Sequence, residues 1–246
     1  MSKLIVILGI TGVQVCYSCS VYNCFVEALS PTYLLTAGWK IRGVTRNPDS
    51  DNAKEWAAKG VQIVKGDLDD VESLKRAFVG ADIIFSVTDF WTIFKDPESQ
   101  NKKKPGQELV EYCYEVELQQ GKNIADAAAT VPNLLRYIFS SMANATTSSN
   151  GKYAKLYRMD SKVEAAVYAQ SFPALAGKFS QVQAPIISSS HGSAIFNLLY
   201  GSYPAALFAV VATCESDWLG PAHAIWYGDF PYARDDPLRP YSLPRH

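Results

Sequence analysis

The chain has 246 residues, of which 48% are hydrophobic and 19% are charged, so it is long enough to bury a full core. A formal net charge of −1 and a pI near 6.3 exclude the basic field that gathers nucleic acid and give no attraction to an anionic membrane. The composition is therefore that of an ordinary globular protein, for which we expect no direct binding of nucleic acid.

The cysteines do not form the pattern of a secreted disulfide framework. They lie at positions 16, 19, 24, 113 and 214, and the start of the chain lacks a charged leader with a long apolar region. We therefore expect a reduced protein, cytoplasmic or nuclear, whose sequon at Asn144 stays unglycosylated. The spacing of Cys16, Cys19 and Cys24 suggests metal ligands, but structural zinc needs four and all histidines follow residue 190. No metal site is predicted.

The first strand and turn predict a nucleotide-binding unit. Leu4 to Leu8 form an unbroken apolar run, which is typical of a strand buried on both faces of a parallel sheet. The run ends at Gly9-Ile10-Thr11-Gly12, where two glycines allow a tight turn and a close approach of the backbone to a phosphate. A third glycine usually follows three residues later, so that the next helix points its N-terminus at the pyrophosphate. Val15 stands there instead.

The end of the second strand indicates which dinucleotide would bind. Residues 39–46 alternate as a short strand and lead into the turn residues Asn47-Pro48-Asp49. At this point a dinucleotide fold reads the adenosine ribose, with an acidic residue for the 2′-hydroxyl of NAD or an arginine for the 2′-phosphate of NADP. Arg46 occupies that position and Arg42 lies four residues earlier, which favours NADP(H). The alternative is that both are surface arginines near a strand edge.

The rest of the first 187 residues alternates between helices and strands. Helices are predicted at 21–29, 53–59, 70–79, 107–129 and 160–168, and strands at 61–64, 83–87, 135–139 and 181–187. Polar loops at 66–70 and 88–91 leave the carboxyl ends of two strands, the edge at which open α/β sheets bind ligands. Asp67 and Asp69 in the first loop are either helix caps or groups that face an adenine. The predicted fold class is α/β, with a Rossmann-type doubly wound parallel sheet.

The C-terminal part breaks this pattern. We expect residues 1–187 to form the Rossmann-like domain and residues 188–246 to be a truncated, irregular smaller part. Residues 194–213 are mostly apolar, and about 20 such residues are long enough to cross a bilayer. Asn197, Gly201 and Pro204 interrupt the run and no basic flank adjoins it. We therefore expect a core helix or a remnant of a smaller domain there rather than a membrane anchor.

Several of these segments together resemble the NmrA-like family of atypical short-chain dehydrogenases. The resemblance covers residues 3–14 and 39–187 and rests on the motifs Gly9-Ile10-Thr11-Gly12-Val13-Gln14, Arg42-Gly43-Val44-Thr45-Arg46-Asn47-Pro48, Gly66-Asp67-Leu68-Asp69-Asp70, Val87-Thr88-Asp89-Phe90-Trp91, Gln120-Gly121-Lys122-Asn123 and Asp160-Ser161-Lys162. It implies a Rossmann domain that binds NADP(H) and a smaller substrate-side domain. Family members include fungal regulators of nitrogen metabolism, redox sensors that read the NADPH level, and oxidoreductases acting on small metabolites.

The resemblance also implies which residues contact the cofactor: Gly9, Thr11, Gly12, Val13, Gln14, Arg42, Arg46, Asp67, Leu68, Thr88, Phe90 and Lys162. Two parts of the chain depart from the family. Val15 and the residues before Gly38 replace the glycine-rich start of the first helix, and residues 188–246 resemble no part of the smaller domain. Retained intron sequence or a shifted reading frame would produce both departures, a hypothesis that sequencing the transcript tests.

Lys162 is the candidate catalytic residue. Short-chain dehydrogenases usually place a tyrosine acid four residues before the lysine, which lowers the pKa of the tyrosine and holds the ribose. Arg158 stands at that offset, so the usual pair is absent. A lysine-only site resembles the isoflavone-reductase-like enzymes, in which the lysine assists proton transfer while NADPH supplies the hydride. Ser140 and Ser141 end the strand that we expect to face Lys162.

We therefore expect an NADP(H)-dependent oxidoreductase that acts on a small metabolite by hydride transfer. One alternative is a catalytically silent NADP(H) sensor that changes shape on binding and signals to a regulatory protein partner. Another is that Lys162 is only a surface lysine on an amphipathic helix beside Asp160 and Glu164.

Overall fold

The structure, a computed structural model, describes residues 3–11, 31–183 and 211–214. Its strands are β1 (Leu4–Leu8), β2 (Lys40–Thr45), β3 (Gln62–Lys65), β4 (Ile83–Ser86), β5 (Arg136–Ser141), β6 (Phe179–Gln183) and β7 (Val211–Cys214). Its helices are α1 (Pro31–Thr36), α2 (Asp51–Ala58), α3 (Val71–Phe78), α4 (Phe90–Lys95), α5 (Glu98–Lys102), α6 (Leu109–Ala129), α7 (Ala145–Ser148) and α8 (Tyr157–Gln170), with a 3₁₀ turn at Pro173–Leu175. The helix predicted at 21–29 lies outside the described residues.

The strands form one sheet in the order β3-β2-β1-β4-β5-β6-β7. All neighbours from β3 to β6 pair in parallel, whereas β7 pairs antiparallel with β6 at the edge. The chain order reverses between β1 and β4, so the crevice where open α/β sheets bind ligands lies at the carboxyl ends of these two strands. The predicted Rossmann-type doubly wound sheet is thereby confirmed for the described residues. The proposed domain boundary at residue 187 stays a prediction.

β7 lies within the apolar span 194–213 and just beyond it, where no strand was predicted. The other residues of that span, and with them the question of a core helix, lie outside the described residues. Among the helices that the structure does describe, none has the length and apolar composition needed to cross a membrane.

Alternate residues of β1 enter two different cores, which explains its unbroken apolar run. Val6 and Leu8 join the core that includes residues of α3, α6 and α8, whereas Ile5 and Ile7 join the one that includes residues of α1 and α2. All four side chains are buried, and each contributes roughly 1.5–3 kcal/mol by leaving water. Described helices thus pack on both faces of the sheet.

Short helices are the main difference between the predicted and the observed elements. α1 (Pro31–Thr36) lies in a stretch where the sequence predicted neither a helix nor a strand. α4 begins inside the predicted loop 88–91, because the side chain of Asp89 accepts hydrogen bonds from the N–H groups of Trp91 and Thr92. α7 begins in the same way after Asn144, where the sequence predicted neither a helix nor a strand.

α6 and α8 approach each other very closely at Gly121 and Ala165. A Cβ built on Gly121 would lie 2.4 Å from the Cβ of Ala165, far inside the contact distance of two carbon atoms. Only glycine therefore fits at this crossing. Glu117 lies one turn before Gly121 on α6, and Lys162 lies three residues before Ala165 on α8, so the crossing brings these two side chains within reach of each other.

We expect Gly121→Ala to lower the free energy of unfolding by about 1–3 kcal/mol, because the added methyl group forces the helices apart. Helix propensity alone would favour alanine by about 1 kcal/mol, so the sign of the change separates the two effects. Urea unfolding followed by circular dichroism measures it. The double variant Gly121→Ala/Ala165→Gly moves the methyl group to the other helix and should recover most of the loss. Purely additive losses would contradict the close contact.

Candidate functional site

The candidate site lies at the carboxyl edge of the sheet. In parallel strands the following loops all emerge at the same edge, so the residues after β1, β2, β3 and β4 are neighbours. These residues include Gly9, Arg46, Asp67 and Thr88, all predicted from the sequence to contact a cofactor. The strand order puts the turn after β1 between those after β2 and β4.

Gly9 makes the tight turn that ends β1. Its φ angle is +72°, and a Cβ built on it would lie 2.7 Å from Cγ1 of Val87, so a side chain would strain the backbone and clash. Ile10 is fully buried in the second core and fixes the turn, while Thr11 is half-buried. The remaining predicted contacts of this turn, residues 12–14, lie outside the described residues.

The two predicted arginines lie in different surroundings. Arg46 is exposed just past β2 and makes no hydrogen bond or ion pair within the described part of the chain. Arg42 lies about 13 Å earlier along the strand. Its Nη1 donates to the carbonyl oxygens of Ala77 and Val79 at 2.8 and 2.7 Å, and its Nε donates to Gln62 Oε1 at 2.9 Å.

Arg42 therefore closes the C-terminal end of α3. Partial burial lowers the pKa of its guanidinium below the ordinary value. Its Nη1 donates to main-chain carbonyls away from the carboxyl edge of the sheet, which weighs against a cofactor contact; the role of Arg42 in cofactor binding stays a prediction. Arg46 remains the candidate for a 2′-phosphate.

The helix that follows the acidic loop, α3, is capped by a residue other than Asp67 or Asp69. Asp70 is the N-cap of α3, because its side chain accepts hydrogen bonds from the N–H groups of Glu72 and Ser73. The half-buried Asp67 instead shapes the loop, since its Oδ1 accepts from the N–H of Asp69 at 3.1 Å. Asp67 is thus placed at the carboxyl edge without serving as the helix cap.

Two side chains of α6 hold this loop in place. Gln120 Nε2 donates to Asp69 Oδ1 at 3.0 Å, and Asn123 Nδ2 donates to the carbonyl oxygen of Leu68 at 2.8 Å. Both α6 residues are buried, and the two hydrogen bonds are themselves partly buried. The part of the site predicted to face an adenine is therefore positioned by α6.

Thr88 carries a buried polar atom without a partner. The residue is 3% exposed, and its Oγ1 makes no hydrogen bond in the described structure. A buried hydroxyl left unpaired costs about 1–3 kcal/mol, so its place at the ligand-binding edge fits a ligand that supplies the missing bond. Phe90, next to it, is buried against Trp91, whose ring is perpendicular at 5.7 Å between centroids.

Lys162 is bound to a buried carboxylate. Its Nζ donates to Glu117 Oε1, and the hydroxyl of Ser161 donates to Glu117 Oε2. The side chain of Glu117 is 0% exposed and that of Lys162 is 13% exposed. Ser141, the last residue of β5, donates to the carbonyl oxygen of Lys162 at 3.4 Å and so ties this part of α8 to the carboxyl edge. The alternative that Lys162 is merely a surface lysine is therefore wrong.

The residues around Lys162 do not reproduce a tyrosine and lysine pair. Tyr157 donates its hydroxyl to Glu111 Oε1 at 2.8 Å. This hydrogen bond, together with partial desolvation, raises the pKa of the Tyr157 phenol, the opposite of what a tyrosine acid requires. Arg158, at the offset of the usual tyrosine, lies over the ring of Trp91, 6.0 Å from its centroid.

Three α6 residues that organise the site were not among the site residues predicted from the sequence: Glu117, Gln120 and Asn123. One signal was present: Cys113, Glu117, Gln120 and Ile124 follow helical spacing, and all four are buried. A carboxylate within a stripe of buried residues needs a buried partner. The spacing did not reveal that the partner would be Lys162.

The sequence profile of the NmrA-like family matches residues 1–186, which is most of the chain. The chain belongs to the NmrA-like family. An NmrA-like family domain-containing oxidoreductase of Aspergillus sp. (strain MF297-2) is 26% identical over 219 residues, covering 89% of this chain and 52% of the relative. A second such oxidoreductase, of Aspergillus flavus, is 31% identical over 141 residues, covering 55% of this chain and 36% of the relative.

Among solved structures, NmrA in complex with NADP, described as a negative transcriptional regulator, is 21% identical with a TM-score of 0.48. The likeness covers 70% of this chain and 43% of that one. The NADPH complex of the Escherichia coli quinone oxidoreductase QOR2 is 18% identical with a TM-score of 0.44, covering 72% and 46%. This NmrA-like chain thus spans about half or less of the length of these relatives.

Proposed function

We propose that this NmrA-like chain binds NADP(H) and acts in the reduction of a small carbonyl or enone metabolite. The observation that carries the proposal is the position of Lys162, nearly buried, paired with a carboxylate and tied to the end of β5. A lysine at that edge is a donor to a substrate oxygen. The names of the two Aspergillus relatives, both called oxidoreductases, support the same activity.

The described residues fit NADP(H). Gly9 makes a tight turn with a positive φ that lets the backbone approach a phosphate, Thr88 has an unpaired buried hydroxyl, and Arg46 has an exposed guanidinium with no partner in the described structure. A guanidinium binds a phosphate through two parallel N–H bonds, which matches the 2′-phosphate that distinguishes NADP from NAD. The loop at Asp67 and Leu68 would lie against the adenine.

Each part of the site has a separate task in the proposed reaction. When bound, NADPH supplies the hydride. The ammonium of Lys162 donates a hydrogen bond, and then a proton, to the substrate oxygen that becomes negative. Trp91, whose side chain is 47% exposed beside the buried Phe90, offers an apolar wall at the mouth of the site.

A turnover screen tests the proposal. The purified chain is given NADPH and a panel of aldehydes, ketones and enones, and the loss of NADPH absorbance is followed. We expect oxidation of NADPH with at least one substrate and slower oxidation of NADH. NADPH that binds without any turnover across the panel would overturn the oxidoreductase activity.

A catalytically silent NADP(H) sensor is the second candidate. It is favoured by the engagement of Tyr157 with Glu111 and by Arg158 at the offset of the usual tyrosine, so the tyrosine acid of short-chain dehydrogenases has no counterpart here. A sensor would change shape when NADPH binds and present a different surface to a regulatory protein. Limited proteolysis with and without NADPH tests this, because a change of shape alters the cleavage pattern. Identical patterns, with binding shown separately, would exclude it.

A further inference from the structure

We infer that Glu117 is the positioning residue of Lys162, holding its ammonium where the substrate oxygen needs a proton. The inference rests on the proposed function. It concerns a residue on a different helix from Lys162, and it explains why a charged side chain lies in the core between α6 and α8.

The burial of Glu117 is the first step. A carboxylate removed from water is strongly unfavourable unless it is paired and its oxygens are hydrogen-bonded. Glu117 meets both conditions, with Lys162 on Oε1 and Ser161 on Oε2. A well-packed apolar residue would serve the core at least as well, so stability alone does not account for a carboxylate here.

The second step is the effect on Lys162. A lysine side chain has a flexible four-carbon stem with many rotamers, so an unpaired one does not keep a single orientation. The bond to Glu117 Oε1 fixes the ammonium between the two helices, at 13% exposure. One N–H group of the ammonium is thus held by Glu117, and the remaining N–H groups stay available to donate to a substrate oxygen.

The third step is that the helices keep their register without this ion pair. On the N-terminal side of the pair, the hydroxyl of Tyr157 (α8) donates a hydrogen bond to Glu111 (α6). On the C-terminal side, the hydroxyl of Tyr168 (α8) donates one to Asp126 (α6). The Gly121 crossing lies between these contacts. Neutralising Glu117 therefore leaves α6 and α8 in place and changes mainly the restraint on Lys162.

The variant Glu117→Gln tests the inference, because it keeps the shape of the side chain and removes the charge. We expect kcat for NADPH oxidation to fall by about 10- to 100-fold, since loss of orientation by about 1 Å has effects of this size. The KM and Kd for NADPH should change by less than about threefold, because Glu117 contacts Lys162 and not the residues proposed to hold the phosphates. Glu111→Gln is the matched control: it makes the same substitution on the same helix, at a residue that binds Tyr157 instead of Lys162.

Glu117→Asp separates positioning from a general structural role. It restores the charge with a shorter stem, so kcat should lie between those of the unaltered protein and Glu117→Gln. This variant also keeps the test decisive if Glu117→Gln fails to fold. A kcat that is unchanged in both variants, or lowered equally in Glu111→Gln, would overturn the inference.

A second measurement does not require turnover. Acetylation of lysine amines by acetic anhydride, read by mass spectrometry of the peptide that contains residue 162, reports how firmly the amine is held. We expect faster labelling of Lys162 in Glu117→Gln and no change in Glu111→Gln. If labelling behaves so but the unaltered protein turns over no substrate, the proposed function fails, and the role of Glu117 in positioning Lys162 for proton transfer is overturned with it. Equal labelling in all three proteins overturns the inference alone.

Discussion

Lys162→Ala should abolish NADPH oxidation with every active substrate. The expected cause is the loss of the group that protonates the substrate oxygen, an effect of about 100- to 10,000-fold for a general acid. NADPH binding should stay within about tenfold, or 1.4 kcal/mol, because the turn after β1 and Arg46 make separate contacts. Steady-state kinetics and a fluorescence titration with NADPH measure the two effects.

The buried partner of Lys162 complicates the alanine variant. Removing the ammonium leaves the Glu117 carboxylate buried without a counter-ion, which costs about 3–5 kcal/mol and can unfold a marginal domain. The double variant Lys162→Met/Glu117→Gln removes both charges at nearly constant volume, so it should fold and still lack activity. Lys122→Ala is a matched control on α6, because that lysine lies over the ring of Tyr168, 5.4 Å from its centroid.

Activity retained by the folded double variant would remove Lys162 from the mechanism. Loss of activity in Lys122→Ala as well would show instead that any change between α6 and α8 disables the protein. The two outcomes are separable because the free energy of unfolding of each variant can be measured by urea unfolding.

The fold was predictable from local patterns that the sheet preserves. The apolar run of β1 indicated a strand with two covered faces, and Ile5 and Val6 do enter opposite cores. α4 was missed because it rests on one cap, Asp89, in a stretch that otherwise has the composition of a loop. β7 was missed because four residues become a strand only through pairing with β6.

The site was predictable only where position along a strand decides the outcome. Residues that follow parallel strands meet at one edge, which placed Gly9, Arg46 and Thr88 correctly at the carboxyl edge. The contacts of Arg42 were not predictable, because its guanidinium binds carbonyl oxygens at the C-terminal end of α3, which is distant from β2 in sequence. Glu117 was missed because its pairing with Lys162, 45 residues away in sequence, depends on a helix crossing that only glycine allows.

Arg46→Ala should remove most of the preference for NADP(H) over NAD(H). A charge-assisted bond between a guanidinium and a phosphate contributes about 1.5–3 kcal/mol, so the ratio of the two dissociation constants should fall by roughly 10- to 150-fold. NAD(H) has no 2′-phosphate, and its affinity should change little. Titrations of both cofactors at one ionic strength measure the ratio, since salt screens an exposed arginine such as this one.

Arg42→Met is the matched control, because Arg42 belongs to the same strand and carries the same charge. Its loss leaves the carbonyl oxygens of Ala77 and Val79 without their donor, so we expect a lower free energy of unfolding by about 1–3 kcal/mol. The cofactor preference should remain unchanged. A preference lost in Arg42→Met and kept in Arg46→Ala would reverse the two roles.

Two results with the unaltered protein would contradict the expected preference for NADP(H) over NAD(H). Equal affinity for NADP(H) and NAD(H) would show that the Arg46 guanidinium does not reach a 2′-phosphate. Absence of binding to either cofactor would point to Val15, which stands where a third glycine usually lets the first helix approach the pyrophosphate. In that case Val15→Gly should restore binding, with NADP(H) bound more tightly because Arg46 is still present.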